Sequence, residues 1–121
     1  RPDTLSLGVC NGCQLVMELG LLYPDWKDHP KMHHNGSGRF ESTFISVTIP
    51  QNNSVMLQTL SGTKLGVWLA HGEGKFKLPA DKTKFNVAAE YTYPEYPGNP
   101  NDSDFAVAAL YSKDGRHLAI M

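Results

Sequence analysis

A cysteine flanked at two-residue spacing by glycines, Gly8-Val9-Cys10-Asn11-Gly12, constrains this chain more than any other feature. The run before it, Leu5-Ser6-Leu7-Gly8-Val9, is short and apolar and predicts a buried strand. After it, Cys13, Leu15, Val16, Met17, Leu19 and Leu22 recur at helical spacing. They predict a helix over about residues 12–19, closed by Gly20. A strand that becomes a helix within one residue turns so sharply that the residue at the bend takes a strained backbone conformation. Side chains at Gly8 and Gly12 are expected to clash across such an elbow. The helix N-terminus then points at Cys10, where its dipole and free N–H groups favour a thiolate. The backbone N–H of Asn11 stands where it can donate to an oxyanion. The pattern predicts a nucleophilic cysteine.

Other readings of the same residues stay open at this level. Cys10-Asn11-Gly12-Cys13 is also C-x-x-C at a strand-to-helix junction, the form of a redox pair. A redox pair has no need of Gly8, however, and Cys13 falls on the apolar face of the predicted helix. The two cysteines could join His33, His34 or His71 around zinc, but the histidine spacing matches no common zinc site. A cysteine can also be buried for packing alone.

Beyond the elbow the chain reads as mostly β. Residues 23–39 are rich in Pro, Gly and Asn and predict loop. Residues 40–49 alternate, with Phe40, Ser42, Phe44, Ser46 and Thr48 on one face and Glu41, Thr43, Ile45, Val47 and Ile49 on the other, and predict a strand. Residues 55–57 predict one helical turn. Residues 65–70, 76–78 and 87–93 predict further strands, with a Gly-rich turn at His71-Gly72-Glu73-Gly74-Lys75. Residues 94–104 predict loop. Residues 105–112 and 117–121 predict a hairpin about Lys113-Asp114-Gly115-Arg116. The order, strand then helix then many strands, gives α/β or α+β with an antiparallel second half. At 121 residues the chain is one domain, and 40% hydrophobic with 19% charged residues is a globular composition. A net charge of −1 gives no basic surplus for nucleic acid. The apolar runs are too short for a membrane span, and no signal-peptide pattern is visible. Asn35, Asn52 and Asn101 each open an Asn-x-Ser tripeptide. With nothing else arguing for secretion, a reducing, cytoplasmic setting is expected. The start at Arg1-Pro2-Asp3-Thr4 and the stop inside Leu118-Ala119-Ile120-Met121 lead us to expect a piece of a longer chain, prone to self-association or partner-dependent.

Residues 8–14, Gly8-Val9-Cys10-Asn11-Gly12-Cys13-Gln14, resemble the class I glutamine amidotransferase signature Gly-x-Cys-x-Gly-x-Gln. The form with Asn11 and Cys13 is similar to the glutaminase domain of the phosphoribosylformylglycinamidine synthase family of purine biosynthesis. Other segments resemble that family too: Arg1-Pro2-Asp3-Thr4, Asn35 with Arg39-Phe40-Glu41, His71-Gly72-Glu73-Gly74, and Tyr93-Pro94 through Pro97-Gly98-Asn99-Pro100-Asn101. The resemblance implies a flavodoxin-like α/β amidotransferase domain, with residues 1–121 a part of it cut at both ends. It implies that Cys10 attacks the carboxamide of glutamine and that the Asn11 N–H holds the oxyanion. Gln14 would face the substrate, and His71, Gly72 and Glu73 would line the pocket through their backbone. It implies no metal and no cofactor in these residues. ATP and Mg²⁺ would belong to a synthase domain of the same parent chain, a ligase that uses the ammonia to convert formylglycinamide ribonucleotide to the amidine. The family's base is a His in a Pro-His-Pro-Glu segment, and none of His29, His33, His34, His71 and His117 lies in one. The 121 residues alone are therefore expected to be inactive. Asp102 stands where the family usually has Gly, and Ala70 where it usually has Ser. Two rivals remain: another triad amidotransferase, against which residues 93–101 argue, and a non-catalytic interaction module of the same fold, against which the intact elbow argues.

Overall fold

The computed structural model describes all residues from Arg1 to Met121. Its strands are β1 (Ser6–Val9), β2 (Lys31–His33), β3 (Glu41–Thr48), β4 (Lys64–His71), β5 (Lys75–Lys77), β6 (Val87–Tyr91), β7 (Val107–Tyr111) and β8 (His117–Ile120), and its one α-helix is α1 (Asn11–Glu18). Six strands form one sheet in the order β1-β8-β7-β6-β3-β4, and β2 pairs with β5 in a separate ribbon. The class is mixed α/β, as expected. Only β1 and β8 run parallel; every other pair is antiparallel.

The parallel pair is what places the elbow. Chain-distant β8 lies beside β1 with Gly8 opposite Ala119 and Val9 opposite Ile120. The ladder runs one residue further, where Cys10 N–H donates to the Ile120 carbonyl at 3.1 Å. α1 then folds back over the sheet and buries Cys13 and Met17 against Val107, Leu110 and Ala119, in a cluster that also holds Phe76 and Phe85. The helix ends in a Schellman motif. Gly20, at φ +63°, donates to Met17 O at 3.1 Å, and Leu21 N–H reaches Val16 O at 3.0 Å. A second cluster fills the opposite face, with Ile45, Val47 and Ile49 of the β3 region against Ala89, Tyr91, Ala108 and Leu118. The alternation expected for residues 40–49 is thus observed, and Phe44 on the outward face is 59% exposed. The β7–β8 hairpin is present, with Gly115 in the turn at φ +76°. Residues 55–57 form a turn closed by Gln58 N–H on Ser54 O at 2.9 Å.

Two expectations need correction. The first strand is not buried: Leu7 and Val9 are 55% and 53% exposed. It is one of the two edge strands of the sheet, bonded to β8 alone, so one edge and much of its side-chain surface meet nothing in this chain. Residues 23–39 are not all loop, because residues 31–33 form β2. Met32 stands opposite Phe76 in that ribbon, and with Lys31 and His33 on either side of it one apolar residue gives no strand signal.

Candidate active site

Cys10 sits at φ 52°, ψ −110°, in the left-handed region that a side chain rarely enters. Two backbone bonds hold it there. Its N–H is tied to β8 as above, and its carbonyl accepts the Gln14 N–H at 3.1 Å, the first bond of α1. Cys10 is partly exposed and occupies the N-cap position, without a side-chain cap bond, of a helix whose first N–H groups have no carbonyl one turn back. Asn11 is the first helical residue after it.

The two glycines of the elbow differ in role. A Cβ on Gly8 would stand 2.7 Å from Gly12 O, 2.9 Å from Gly12 C and 3.0 Å from Val16 Cγ2. A Cβ on Gly12 would meet nothing within 4 Å. The clash expected on both sides of Cys10 is therefore one-sided. The strand passes beneath the Gly12 carbonyl, while the direction a Gly12 side chain would take is open.

One helical turn beyond Cys10, Gln14 Nε2 donates to the backbone carbonyl of Glu73 at 3.0 Å. This bond brings the turn at residues 71–74 to the elbow helix across 59 residues of chain. The other groups of that turn lie elsewhere. The His71 ring is buried beneath it, with Gly74 and Asn101 against it and no hydrogen-bond partner on either ring nitrogen. The Glu73 carboxylate is exposed, 3.5 Å from His34 Nδ1. Gly72 contributes its carbonyl, which accepts from the Asn35 N–H at 2.9 Å. The structure thus groups Cys10, Asn11, Gln14 and the Glu73 carbonyl, and leaves the His71 imidazole below.

Cys13 is fully buried, and burial, with Cys10 beside it, pushes its thiol up to about 12. Both cysteines are free. A thiol so buried and so protonated is a poor redox partner, which argues against the C-x-x-C reading. No three His, Cys, Asp or Glu side chains converge as a metal site would need. The Asn-x-Ser tripeptides carry no accessible acceptor, since Asn35, Asn52 and Asn101 are 2%, 4% and 0% exposed. No imidazole hydrogen-bonds Cys10. His117 pairs with Ser6 Oγ at 2.7 Å, His29 with the Pro30 carbonyl at 3.0 Å, and His34 with Glu73.

Sequence reasoning missed a buried polar network behind the turn. Asn35 Nδ2 donates to the His71 carbonyl at 2.8 Å, and Gly74 N–H donates to Asn35 Oδ1 at 2.9 Å. Asn101 Nδ2 donates to Tyr91 Oη at 2.6 Å, and Ser103 Oγ donates to the Gly74 carbonyl at 3.2 Å. The available signal was Asn35-Gly36 and Asn101 standing in segments that otherwise read as solvent-facing loop.

Two of these buried groups limit stability with pH. Burial lowers the His71 pKa from its ordinary 6.5, so below that pH the unfolded chain binds more protons and stability falls as pH drops. Burial raises Cys13 from 9.0, so above that pH the folded chain holds the extra proton and stability falls as pH rises towards about 12. Thermal midpoints measured across pH are expected to plateau between those limits, and Cys13→Ala should flatten the alkaline side.

A family model described as CobB/CobQ-like glutamine amidotransferase domain matches residues 1–121. The chain is 43% identical over 139 aligned positions to the probable phosphoribosylformylglycinamidine synthase, chloroplastic/mitochondrial, of Arabidopsis thaliana, covering all of this chain and 10% of that protein. It is 40% identical to the Dictyostelium discoideum synthase, again over all of this chain and 10% of the relative. For the human synthase the figures are 37%, all of this chain and 11%. The chain thus spans about a tenth of the length of the curated relatives it matches. Among solved structures, PurLQS from Thermotoga maritima superimposes with a TM-score of 0.77 at 26% identity, covering 97% of this chain and 49% of that one. With the whole chain inside the family model and the elbow in place, the protein belongs to the CobB/CobQ-like glutamine amidotransferase domain family.

Proposed function

We propose that these residues carry the nucleophile of a glutaminase that supplies ammonia to a phosphoribosylformylglycinamidine synthase. The observation that carries this reading is the strained Cys10 elbow, whose helix is joined through Gln14 to the 71–74 turn. The names of the relatives in three organisms support the choice of acceptor.

The Cys10 thiolate attacks the carboxamide carbon of glutamine, and the Asn11 N–H stabilises the oxyanion. The C–N bond breaks, and nitrogen leaves as ammonia with the proton from the thiol. A thioester remains. Water adds to it, the C–S bond breaks, glutamate departs, and a proton returns to sulfur. Gln14 and the backbone of residues 71–74 hold the substrate beside Cys10. The ammonia passes to a synthase domain of the same parent polypeptide, where ATP with Mg²⁺ activates formylglycinamide ribonucleotide for conversion to the amidine. The setting is a reducing one, such as cytoplasm, in keeping with two free thiols. No helix here is long and apolar enough to cross a membrane.

A thiol needs a base or a lowered pKa to attack. Cys10 stands at the N-terminus of α1, but no imidazole among these residues hydrogen-bonds it. Residues 1–121 alone are accordingly expected to release ammonia from glutamine far more slowly than the native polypeptide that carries them. A glutamine-dependent ammonia assay on both tests the reading. Turnover by the native polypeptide supports it, and its absence there contradicts it.

A further inference from the structure

The turn at residues 71–74 meets α1 through one backbone carbonyl, that of Glu73. Ser103 Oγ holds the Gly74 carbonyl at 3.2 Å, and the other polar contacts behind the turn come from one buried asparagine. Asn35 is 2% exposed. Its carboxamide bridges the two ends of the turn, donating through Nδ2 to His71 O at 2.8 Å and accepting the Gly74 N–H on Oδ1 at 2.9 Å. Its own N–H donates to the Gly72 carbonyl at 2.9 Å, and Nδ2 also donates to Arg39 O at 3.0 Å. With the groups on either side bound to Asn35, the Glu73 carbonyl is the one left turned towards Gln14.

We propose that Asn35 is a positioning residue for glutamine binding: it fixes the 71–74 turn against Gln14 and so sets where the substrate lies relative to Cys10. The inference rests on the functional reading above. A carboxamide suits the task because it presents a donor and an acceptor from one planar group. A carboxylate keeps the acceptor for Gly74 N–H but turns a second oxygen onto the His71 carbonyl. Alanine offers neither and leaves buried backbone groups unpaired. Asn35 bonds to neither Cys10 nor α1. The nucleophile, held by Ile120 O and Gln14 N–H, keeps its own geometry when the turn shifts.

The separation of binding from nucleophile chemistry gives the test. In the native polypeptide that carries these residues, Asn35→Asp is expected to raise the glutamine KM about tenfold, the scale of one lost hydrogen bond, with kcat changed less. The rate at which iodoacetamide, which does not use the glutamine site, alkylates Cys10 should stay that of the unsubstituted protein. Gln14→Leu cuts the same contact from the helix side, at a position that is not buried. It should reproduce the KM-weighted defect, and the double substitution should be less than multiplicative. Should Asn35→Asp fail to fold, Asn35→Ser, a smaller side chain that still offers the turn a donor and an acceptor, is read by the same criteria. Unchanged KM, a defect in kcat only, or an equal fall in iodoacetamide rate overturns the inference. No glutamine turnover in the unsubstituted polypeptide overturns the functional reading and this inference with it.

Discussion

Replacing Cys10 with alanine is expected to lower glutamine-dependent ammonia release by the native polypeptide by roughly 10⁴-fold or more, the scale on which deleting a nucleophile acts. The loss should come without loss of the fold. Alanine at φ 52° carries the same left-handed strain that cysteine does, and the thiol makes no hydrogen bond that truncation would break. A thermal midpoint close to the parent's with activity gone separates a missing nucleophile from a damaged elbow. Cys10→Gly sharpens the contrast. Glycine enters that backbone region freely, so it should relieve strain on the order of 1 kcal/mol and raise the midpoint while leaving the protein equally inactive. Retained activity in either variant, measured as ammonia from glutamine, contradicts the assignment.

Gly8→Ala is the second large effect, on stability. Its new Cβ would meet the Gly12 carbonyl oxygen at 2.7 Å and carbon at 2.9 Å. Both are backbone atoms, fixed by the helix that Cys10 caps, so neither can rotate away. Either β1 leaves α1 or the elbow opens, at a cost of about 1–3 kcal/mol. Because β1 is joined to the sheet through β8 alone, the displacement should reach Cys10 as well. Gly12→Ala is the control. Its Cβ faces open space, and alanine inside a helix is favoured over glycine by about 0.5–1 kcal/mol. Thermal unfolding of the two variants should therefore move in opposite directions. A Gly12 variant that loses more than the Gly8 variant would refute the one-sided elbow.

The contrast between these glycines shows how far local pattern carries. Two glycines around a cysteine read as symmetric, and the strand–elbow–helix was legible because its signals lie within a dozen neighbouring residues. The β7–β8 hairpin was legible for the same reason, from Asp114-Gly115 between apolar runs. Which glycine is crowded depends on where β1 passes under α1, and no spacing in the sequence states that. The exposure of Leu7 and Val9 likewise follows from β1 taking the outer place beside β8, 111 residues away at the Ser6–His117 pairing. β2 escaped because three residues carry no period, and its partner β5 is equally short. The network around Asn35 escaped because its contacts bridge 36 and 39 residues of chain. An asparagine beside a glycine reads locally as a solvated turn, and its burial is visible only once the sheet has brought residues 71–74 to it.

The central claim is that Cys10, and not Cys13, is the nucleophile of a glutamine site. Its most direct test is labelling of the native polypeptide with a diazo-oxo-norleucine glutamine analogue, followed by peptide mapping. The account predicts one adduct, on Cys10, suppressed by added glutamine, with Cys13 unmodified because it is fully buried and its thiol is held near 12. An adduct on Cys13, or none on Cys10, would contradict it.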